Sequence, residues 1–261
     1  MAYNILMGGD RQAGDRTHLL LDVIRRADPD VLGLCECKGF EADGEARLQF
    51  FCRELRMDAV MNRAVEGNHV TLFYRRGLRP AVTSTTNVLM QHGAVRLVLP
   101  TVELGPITFV LTHLHAYSSW FRVTEAQTVV AKALSKTPEA LIFGDMNAVA
   151  AVDLPLDPAA APRGMVTRLS APQGGIDTQT IDTFLRHGFQ DLGAGAVGPT
   201  YSTAVGDEGD AGGPLVRLDY IFATPGLAAR CRAIGAVREL PADRASDHLP
   251  VVADFDLTLQ E

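Results

Sequence analysis

Eight polar side chains fall inside or at the ends of apolar, strand-like runs, and their types outline one kind of chemistry. Gly144-Asp145-Met146-Asn147 follows Ala140-Leu141-Ile142-Phe143, so a buried strand ends where a carboxylate and an amide begin. Residues two apart on a strand share a face, so Asp145 and Asn147 are expected to point the same way. Asp-x-Asn after a strand is also ordinary turn chemistry, and alone this stretch reads either way. Other runs supply partners. Asn4 lies in the first strand-like segment, Glu36 between Cys35 and Cys37, and His113 at the end of Phe109-Val110-Leu111-Thr112. Asp219 sits inside Leu218-Asp219-Tyr220-Ile221-Phe222, and Asp247-His248 directly precedes Leu249-Pro250-Val251-Val252. A carboxylate inside an apolar strand is costly unless it is paired or bound to metal. Singly, each has a plainer reading: Glu36 paired to a buried Arg, Asp219 anchoring a loop, Asp247-His248 forming a turn. Jointly they give carboxylates, amides and imidazoles at comparable strand ends. Oxygen donors without thiolates suit Mg²⁺ or Mn²⁺ better than Zn²⁺. Imidazoles beside carboxylates suit phosphoryl transfer, in which positioning and charge stabilisation do most of the work.

The elements that must position these groups alternate between strand and helix along one α/β chain. Tyr3 to Met7 reads as a short strand, expected to be truncated or edge-like because it starts so near the terminus. Arg16 to Ala27 has a helical stripe (Leu19, Leu20, Val23, Ile24, Ala27), with Asp15 as cap and Asp28-Pro29 as stop. Val31 to Cys37 follows as a strand that puts both cysteines on one face and Glu36 on the other, and Glu45 to Leu55 as a second helix. His69 to Arg76, Gly93 to Val102 and Ile107 to His113 read as strands, the last two joined by a turn at Glu103-Leu104-Gly105-Pro106. Arg122 to Ser135 and Thr180 to His187 read as helices. Arg217 to Phe222, Cys231 to Val237 and Leu249 to Leu257 close the chain as strands. Residues 148–178, rich in Pro, Ala and Gly, show no period and are expected to be a long loop, open to a lid role. Hairpins mixed with helical crossovers favour two mixed sheets packed face to face with helices outside.

Composition excludes several classes. With 261 residues, 47% hydrophobic and 21% charged, the chain has the make-up of one large globular domain or two small ones, and one domain over 1–261 is expected. No apolar run approaches the roughly 18 residues of a membrane span, and the N-terminal segment lacks the pattern of a secretory signal. Cys35, Cys37, Cys52 and Cys231 have neither metal nor disulfide spacing, so a reduced, cytoplasmic setting is expected, with no membrane partner. The net charge of −7 argues against broad nucleic-acid binding, which rests on neutralising phosphates. The densest cationic cluster, Arg75, Arg76 and Arg79, reads as a solvated strand end. Neither a phosphate-binding glycine loop nor a Gly-x-Ser-x-Gly elbow is present. Oligomeric state is left open.

The ordered set Asn4, Leu34-Cys35-Glu36, Thr112-His113-Leu114, Gly144-Asp145-Met146-Asn147, Arg217-Leu218-Asp219-Tyr220-Ile221 and Ser246-Asp247-His248-Leu249-Pro250 resembles the endonuclease/exonuclease/phosphatase (deoxyribonuclease I-like) superfamily over nearly the whole chain. The resemblance implies an α/β fold of the α+β type, a four-layer sandwich of two packed mixed β-sheets flanked by helices, with its site at one rim. It implies Mg²⁺-dependent (or Mn²⁺-dependent) hydrolysis of phosphoester bonds. Glu36 would be the principal metal ligand, with Asn4 near the metal or phosphate and Asp247 assisting. Asp145 would orient or deprotonate the attacking water, and Asn147 would hold that water or a phosphate oxygen. His248, oriented by Asp219, would stabilise charge on the phosphate. His113 would be a second phosphate contact or the acid for the leaving group.

Departures from the family's subgroups narrow the substrate. Abasic-site endonucleases carry a Tyr and an Asn-Gly element where this chain reads Leu114-His115-Ala116-Tyr117-Ser118-Ser119-Trp120-Phe121. Inositol polyphosphate phosphatases carry Trp-Cys-Asp-Arg where this chain has Arg217-Leu218-Asp219-Tyr220. A small phosphorylated metabolite is therefore the favoured substrate, with Arg122, Tyr117 and Trp120 as candidate binding residues. For Arg122 a structural role is the alternative, and for Trp120 packing under the next helix is. A DNA or RNA nuclease is the second reading. A catalytically inactive binding protein, or a non-hydrolytic enzyme on the same fold, is the third.

Overall fold

The computed structural model describes residues 1–10, 14–154, 156, 161–203, 205, 215–239 and 241–260. The N-terminal half runs β1 (Ala2–Asn4), α1 (Thr17–Ala27), β2 (Val31–Cys35), α2 (Ala46–Leu55), β3 (Met57–Asn62), β4 (Val70–Arg75), β5 (Val82–Thr86) and β6 (Ala94–Thr101). It continues with β7 (Gly105–His113), α3 (Ser119–Ala133), β8 (Glu139–Asp145), α4 (Arg163–Leu169) and α5 (Gln179–Arg186). The chain closes with β9 (Gln190–Asp191), β10 (Asp219–Ala223), α6 (Pro225–Ala228), β11 (Cys231–Ala236), α7 (Ala242–Ala245) and β12 (Val251–Phe255). Among the described residues, no helix is long and apolar enough to cross a membrane.

The strands form two mixed six-stranded sheets, ordered β11-β12-β1-β2-β4-β3 and β5-β6-β7-β8-β10-β9. Each sheet contains one parallel pair, β1 with β2 and β7 with β8, joined by the crossover helices α1 and α3. Apolar residues from the facing surfaces, including Val70, Leu72, Val95, Leu97, Leu111 and Phe143, pack between the sheets. Helices α1, α2 and α7 cover the outside of the first sheet, and α3 and α5 the outside of the second. This is the expected four-layer sandwich. The sheets approach closely at Gly33, where an added Cβ would lie 2.5 Å from the side chains of Leu111 and Phe143. Helix α1 begins where the Asp15 Oδ1 accepts the Thr17 N–H and ends at a left-handed Asp28, as its sequence suggested. Arg75 pairs with Asp28 and Asp30, and Arg76 with Asp58, all at the surface, so the cationic cluster is a solvated strand end.

Several expectations are corrected. The first strand is interior, flanked by β12 and β2, because a short strand is enough when paired on both sides. Strand β2 stops at Cys35, and Glu36 adopts a left-handed backbone with φ 60°. Cys35 therefore packs between the sheets and Cys37 beneath α1 and α2, instead of sharing a face. Strands β3, β5 and β9 escaped the sequence: β5 is a polar, largely exposed edge strand, and edge pairing leaves little apolar alternation to read. Residues 148–178 are not a plain loop. They hold a 3₁₀ turn at Ala151–Asp153, the helix α4 and a bridge between Ser170 and Ile176. Their apolar residues Val149, Met165 and Leu169 form a separate small cluster with Tyr201, Val216 and Leu218. A seven-residue helix gives too few turns to show a period. Part of that expected loop, residues 155 and 157–160, lies outside the described residues.

Candidate active site

Register brings the strand-end groups together. In the second sheet, His113 of β7 and Asp219 of β10 both stand opposite Asp145 of β8, one on each side. Residues directly opposite on neighbouring strands share a face, so these three side chains meet at one rim. In the first sheet, Asn4 pairs in register with Cys35, which leaves Glu36 just past the same end. Gly144 makes the strand end possible. Its φ is 131°, and a Cβ there would sit 2.0 Å from the Thr112 carbonyl oxygen.

Asp145 is the hub. It is almost wholly buried, and its Oδ2 accepts from Asn4 Nδ2 at 3.0 Å. His113 Nε2 lies 3.4 Å from the same oxygen and His248 Nε2 3.7 Å from it. Asp145 Oδ1 accepts the Asn147 N–H at 2.9 Å, so Asp-x-Asn is a turn and part of the site at once. Asn147 takes φ 48° and ties its amide to the Leu114 carbonyl. Burial works against charge on Asp145, but His113, His248 and these hydrogen bonds hold its carboxyl below the usual range.

His248 is the second anchor. Its Nδ1 lies 2.8 Å from Asp219 Oδ2, which also accepts from Thr200 Oγ1 at 2.7 Å. Burial opposes charge on His248, yet Asp219, Asp145 and Asp247 outweigh it and push the imidazolium up to about 10. A positive donor is thus held at the pocket wall at neutral pH. His113 is the opposite case: burial, with His92 beside it, pushes it down to about 3 against the pull of Asp145. The two histidines are therefore expected to carry different charge.

The pocket between them has a volume of about 130 Å³ and is lined by Glu36, His113, Asp145, Asn147, Asp247 and His248, among others. Roughly four waters occupy that much liquid volume, so it seats a phosphoryl group and its nearest atoms. Glu36 is fixed from both sides, its Oε1 by Asn4 Nδ2 at 3.1 Å and its Oε2 by the Met7 N–H at 3.0 Å. Asp247 lies across the pocket; burial and repulsion from Glu36, opposed by His248, push its carboxyl up to about 6. Two carboxylates that repel each other across a polar pocket fit a hard divalent cation, which would supply the missing countercharge. Asn4 is tied into the same cluster: its Oδ1 accepts the Leu6 N–H, which leaves that oxygen a second lone pair, and its Nδ2 donates to both Glu36 and Asp145.

The substrate-binding candidates separate. Tyr117 is exposed and lines the pocket mouth. Trp120 does not pack under the helix: it is 66% exposed on the first turn of α3, outside the pocket lining. Arg122 is corrected outright, because it is 0% exposed and touches no open surface. Its guanidinium donates to Asp177 Oδ2 at 3.2 Å and to the carbonyls of His115 and Arg168, tying the Tyr117 segment to α4. Arg122→Ala is therefore expected to cost about 3–5 kcal/mol of stability by leaving Asp177 buried without its partner. Denaturant unfolding checks this, and a loss below about 1 kcal/mol would contradict the buried-pair argument.

Residues the sequence reading missed come from loops, apart from Arg168 of α4. Asn68, Gln91, His92, Arg168 and Tyr201 all line the pocket, and the Tyr201 ring packs on His248 with centroids 4.6 Å apart. Buried Glu125 accepts the N–H groups of Gln91 and His115, fixing two wall segments at once. The one available signal was His92, which precedes β6 as other site residues border their strands.

A two-sheet sandwich with a polar, acid–imidazole pocket at one rim is consistent with the deoxyribonuclease I-like α/β architecture. The chain belongs to the Endonuclease/Exonuclease/phosphatase family, whose model matches residues 1–248. Members of that family are phosphoesterases and nucleases. Among solved structures, an AP endonuclease from Archaeoglobus fulgidus is similar over 95% of this chain and 96% of its own, with TM-score 0.65 and 19% identity. The human Nocturnin catalytic domain with bound sulfate is similar over 98% and 92%, with TM-score 0.63 and 18% identity. A mannosyl-6-phosphatase from Bacteroides thetaiotaomicron VPI-5482 covers 94% and 91%, with TM-score 0.64 and 16% identity. At such identities the likeness concerns the fold. No curated protein matches the chain in sequence.

Proposed function

We infer that this protein is a divalent-metal-dependent phosphoesterase that hydrolyses a phosphomonoester or phosphodiester of a small metabolite. The observation that carries the reading is the gathering of Asn4, His113 and His248 around one buried carboxylate, Asp145, at a pocket also walled by Glu36 and Asp247. Asp145, kept ionised, takes a proton from the attacking water, and Asn147 beside it orients that water. His248 is held by Asp219 with its charge intact and donates to a phosphate oxygen as negative charge builds there. His113, neutral, fixes Asp145 and contacts the phosphate. Glu36 and Asp247 would hold Mg²⁺ or Mn²⁺, which when bound would neutralise phosphate charge. Asn4 keeps both carboxylates aligned for these tasks.

Three observations favour a small substrate over nucleic acid: the −7 net charge, the small pocket, and a His115 to Phe121 segment unlike that of abasic-site endonucleases. A binding protein on an inactive fold would have no use for an intact Asp145, His248 and Glu36. The deciding experiment is a screen with Mg²⁺ or Mn²⁺ across nucleotides, sugar phosphates, lipid headgroups and oligonucleotides. Release of phosphate or an alcohol from a small ester is expected, with weak dependence on salt. Cleavage confined to plasmid or oligonucleotide, falling steeply with salt, would replace this reading by the nuclease.

A further inference from the structure

The exposed Phe, Tyr and Trp side chains all stand in one stretch of five residues. Tyr117, Trp120 and Phe121 are 69%, 66% and 48% exposed, whereas every other Phe and Tyr is buried or half-buried. Single exposed hydrophobic residues are ordinary, but a contiguous group marks a contact surface. These rings are contiguous. Tyr117, which lines the pocket mouth, meets the His115 ring edge-on with centroids 6.3 Å apart. His115 stacks on Phe121 at 5.1 Å with planes 16° from parallel, and Trp120 meets Phe121 at 5.1 Å and 77°. The result is a ledge that leads from the pocket mouth onto the first turn of α3. Its backbone is held at several points. The N–H groups of Tyr117 and Ser118 both donate to His115 Nδ1 at 3.1 Å, which fixes that ring. Glu125 accepts the His115 N–H, Gln91 Oε1 accepts the Ala116 N–H, and Arg122 donates to the His115 carbonyl. A ledge fixed in this way loses little freedom when something settles on it. Residues 115–121 include no Asp, Glu, Lys or Arg, so the surface they offer is aromatic and free of formal acid or ammonium charge.

We propose that Tyr117, Phe121 and Trp120 bind a planar aromatic ring of the substrate, so that the esters this protein prefers are phosphates of aryl or nucleobase-bearing alcohols. The inference rests on the phosphoesterase reading and names its substrate class. A pocket of about 130 Å³ seats the phosphoryl group and its nearest atoms, so the rest of the ester lies outside it. The ledge is continuous with the mouth through Tyr117, which makes it the surface that the remainder meets. Its ring pairs are close to perpendicular at Trp120–Phe121 and at His115–Tyr117. They therefore offer both faces and edges. An aromatic ring gains from stacking on a face and from meeting an edge, beyond the area it covers, whereas an alkyl chain gains from area alone. Tyr and Trp also carry a polar atom on the ring, which suits a ring with heteroatoms better than a bare hydrocarbon. The net charge of −7 disfavours a long polyanion, so the nucleobase source is a mononucleotide and not a strand.

The test uses esters matched in their leaving alkoxide, with Mg²⁺ and purified full-length protein. Ethyl, 2-cyclohexylethyl and 2-phenylethyl phosphate form one set, ribose 5-phosphate and adenosine 5′-monophosphate the other, each also as its methyl diester. In kcat/KM the phenyl or the adenine ester should exceed its ringless partner by about tenfold or more. The cyclohexyl ester should gain no more than about threefold. The larger of the two aromatic preferences tells an aryl substrate from a nucleobase. Trp120→Phe should keep most of the preference and Trp120→Leu little of it. The ratio within one variant cancels any shared loss of folded protein. Trp120 is the single tryptophan, so its emission reports on the ledge directly. A saturating change is expected with 3-phenylpropylphosphonate or adenosine 5′-monophosphate under chelation, and none with ethylphosphonate. Equal rates within each matched set would overturn the proposal and leave the phosphoesterase reading intact. A cyclohexyl ester as good as the phenyl ester, with Trp120→Leu equal to wild type, would replace the aromatic substrate by an alkyl one. Emission that shifts with protein concentration alone would assign the ledge to a second copy. Inactivity on every ester would overturn the phosphoesterase reading; the emission titration would then still decide whether the ledge binds a ring.

Discussion

Asp145→Asn and His248→Ala are each expected to lower turnover by on the order of 10²-fold or more while the protein stays folded. Asn in place of Asp145 keeps the volume, and its single amide oxygen can still accept from Asn4 Nδ2 or from the Asn147 N–H, though not from both. It cannot accept a proton from water, nor balance the charge of His248. That separates chemistry from shape. His248→Ala removes the charged donor aimed into the pocket, a type of contact worth about 3–4 kcal/mol in the transition state when the site is dry. It also strands Asp219, whose Oδ2 then keeps only Thr200. The melting temperature should fall accordingly, so turnover is read well below the unfolding midpoint. His248→Gln, which can still donate to Asp219 but bears no charge, should recover the stability and little of the rate. A near-normal rate in Asp145→Asn would take the proton-accepting role from that carboxylate, and one in His248→Ala would take charge stabilisation from that imidazole.

Chelation by EDTA is expected to abolish activity, and Mg²⁺ or Mn²⁺ to restore it. The ground for this is electrostatic. Glu36 and Asp247 face one polar pocket, and the repulsion of Glu36 helps push Asp247 up to about 6. Buried like charges are tolerated when a cation joins them or when one takes up a proton. Added cation should therefore raise the melting temperature of the stripped protein, since a ligand that binds only the folded state stabilises it by about 2.7 kcal/mol at a hundredfold excess over its Kd. Glu36→Gln should weaken that stabilisation and raise the cation concentration needed for activity by about tenfold or more. Full activity after exhaustive chelation, with no thermal response to either cation, would end the metal-dependent reading.

Much of the site could be read from residue type and strand position alone. His113, Asp145, Asp219 and His248 each interrupt or end an apolar run, and a polar group in such a place must have a partner. Asn4 was found in the same way, but its hydrogen bonds to Leu6, Glu36 and Asp145 join residues from separate strands and only the fold shows them. Arg122 looked like a substrate residue from its place after the histidine motif. Its burial depends on Asp177, 55 residues away, and on the cover given by α4. Asn68 and Gln91 went unread because loop residues carry no periodicity to mark which way they face.

The sequence by itself determined the alternation of elements, the two-sheet class of fold and the identity of the groups that end the strands. Local chemistry suffices for these: apolar period, turn residues, and the cost of a lone carboxylate in a strand. The tertiary structure alone decided that β8 lies between β7 and β10, in the register that sets Asp145 opposite both His113 and Asp219. It also set the end of β1 and Glu36 beside that trio, and buried Arg122 away from the pocket. Strand order and register follow from how two twisted sheets fill the space between them, a balance of contacts far apart in the chain that no window of sequence contains.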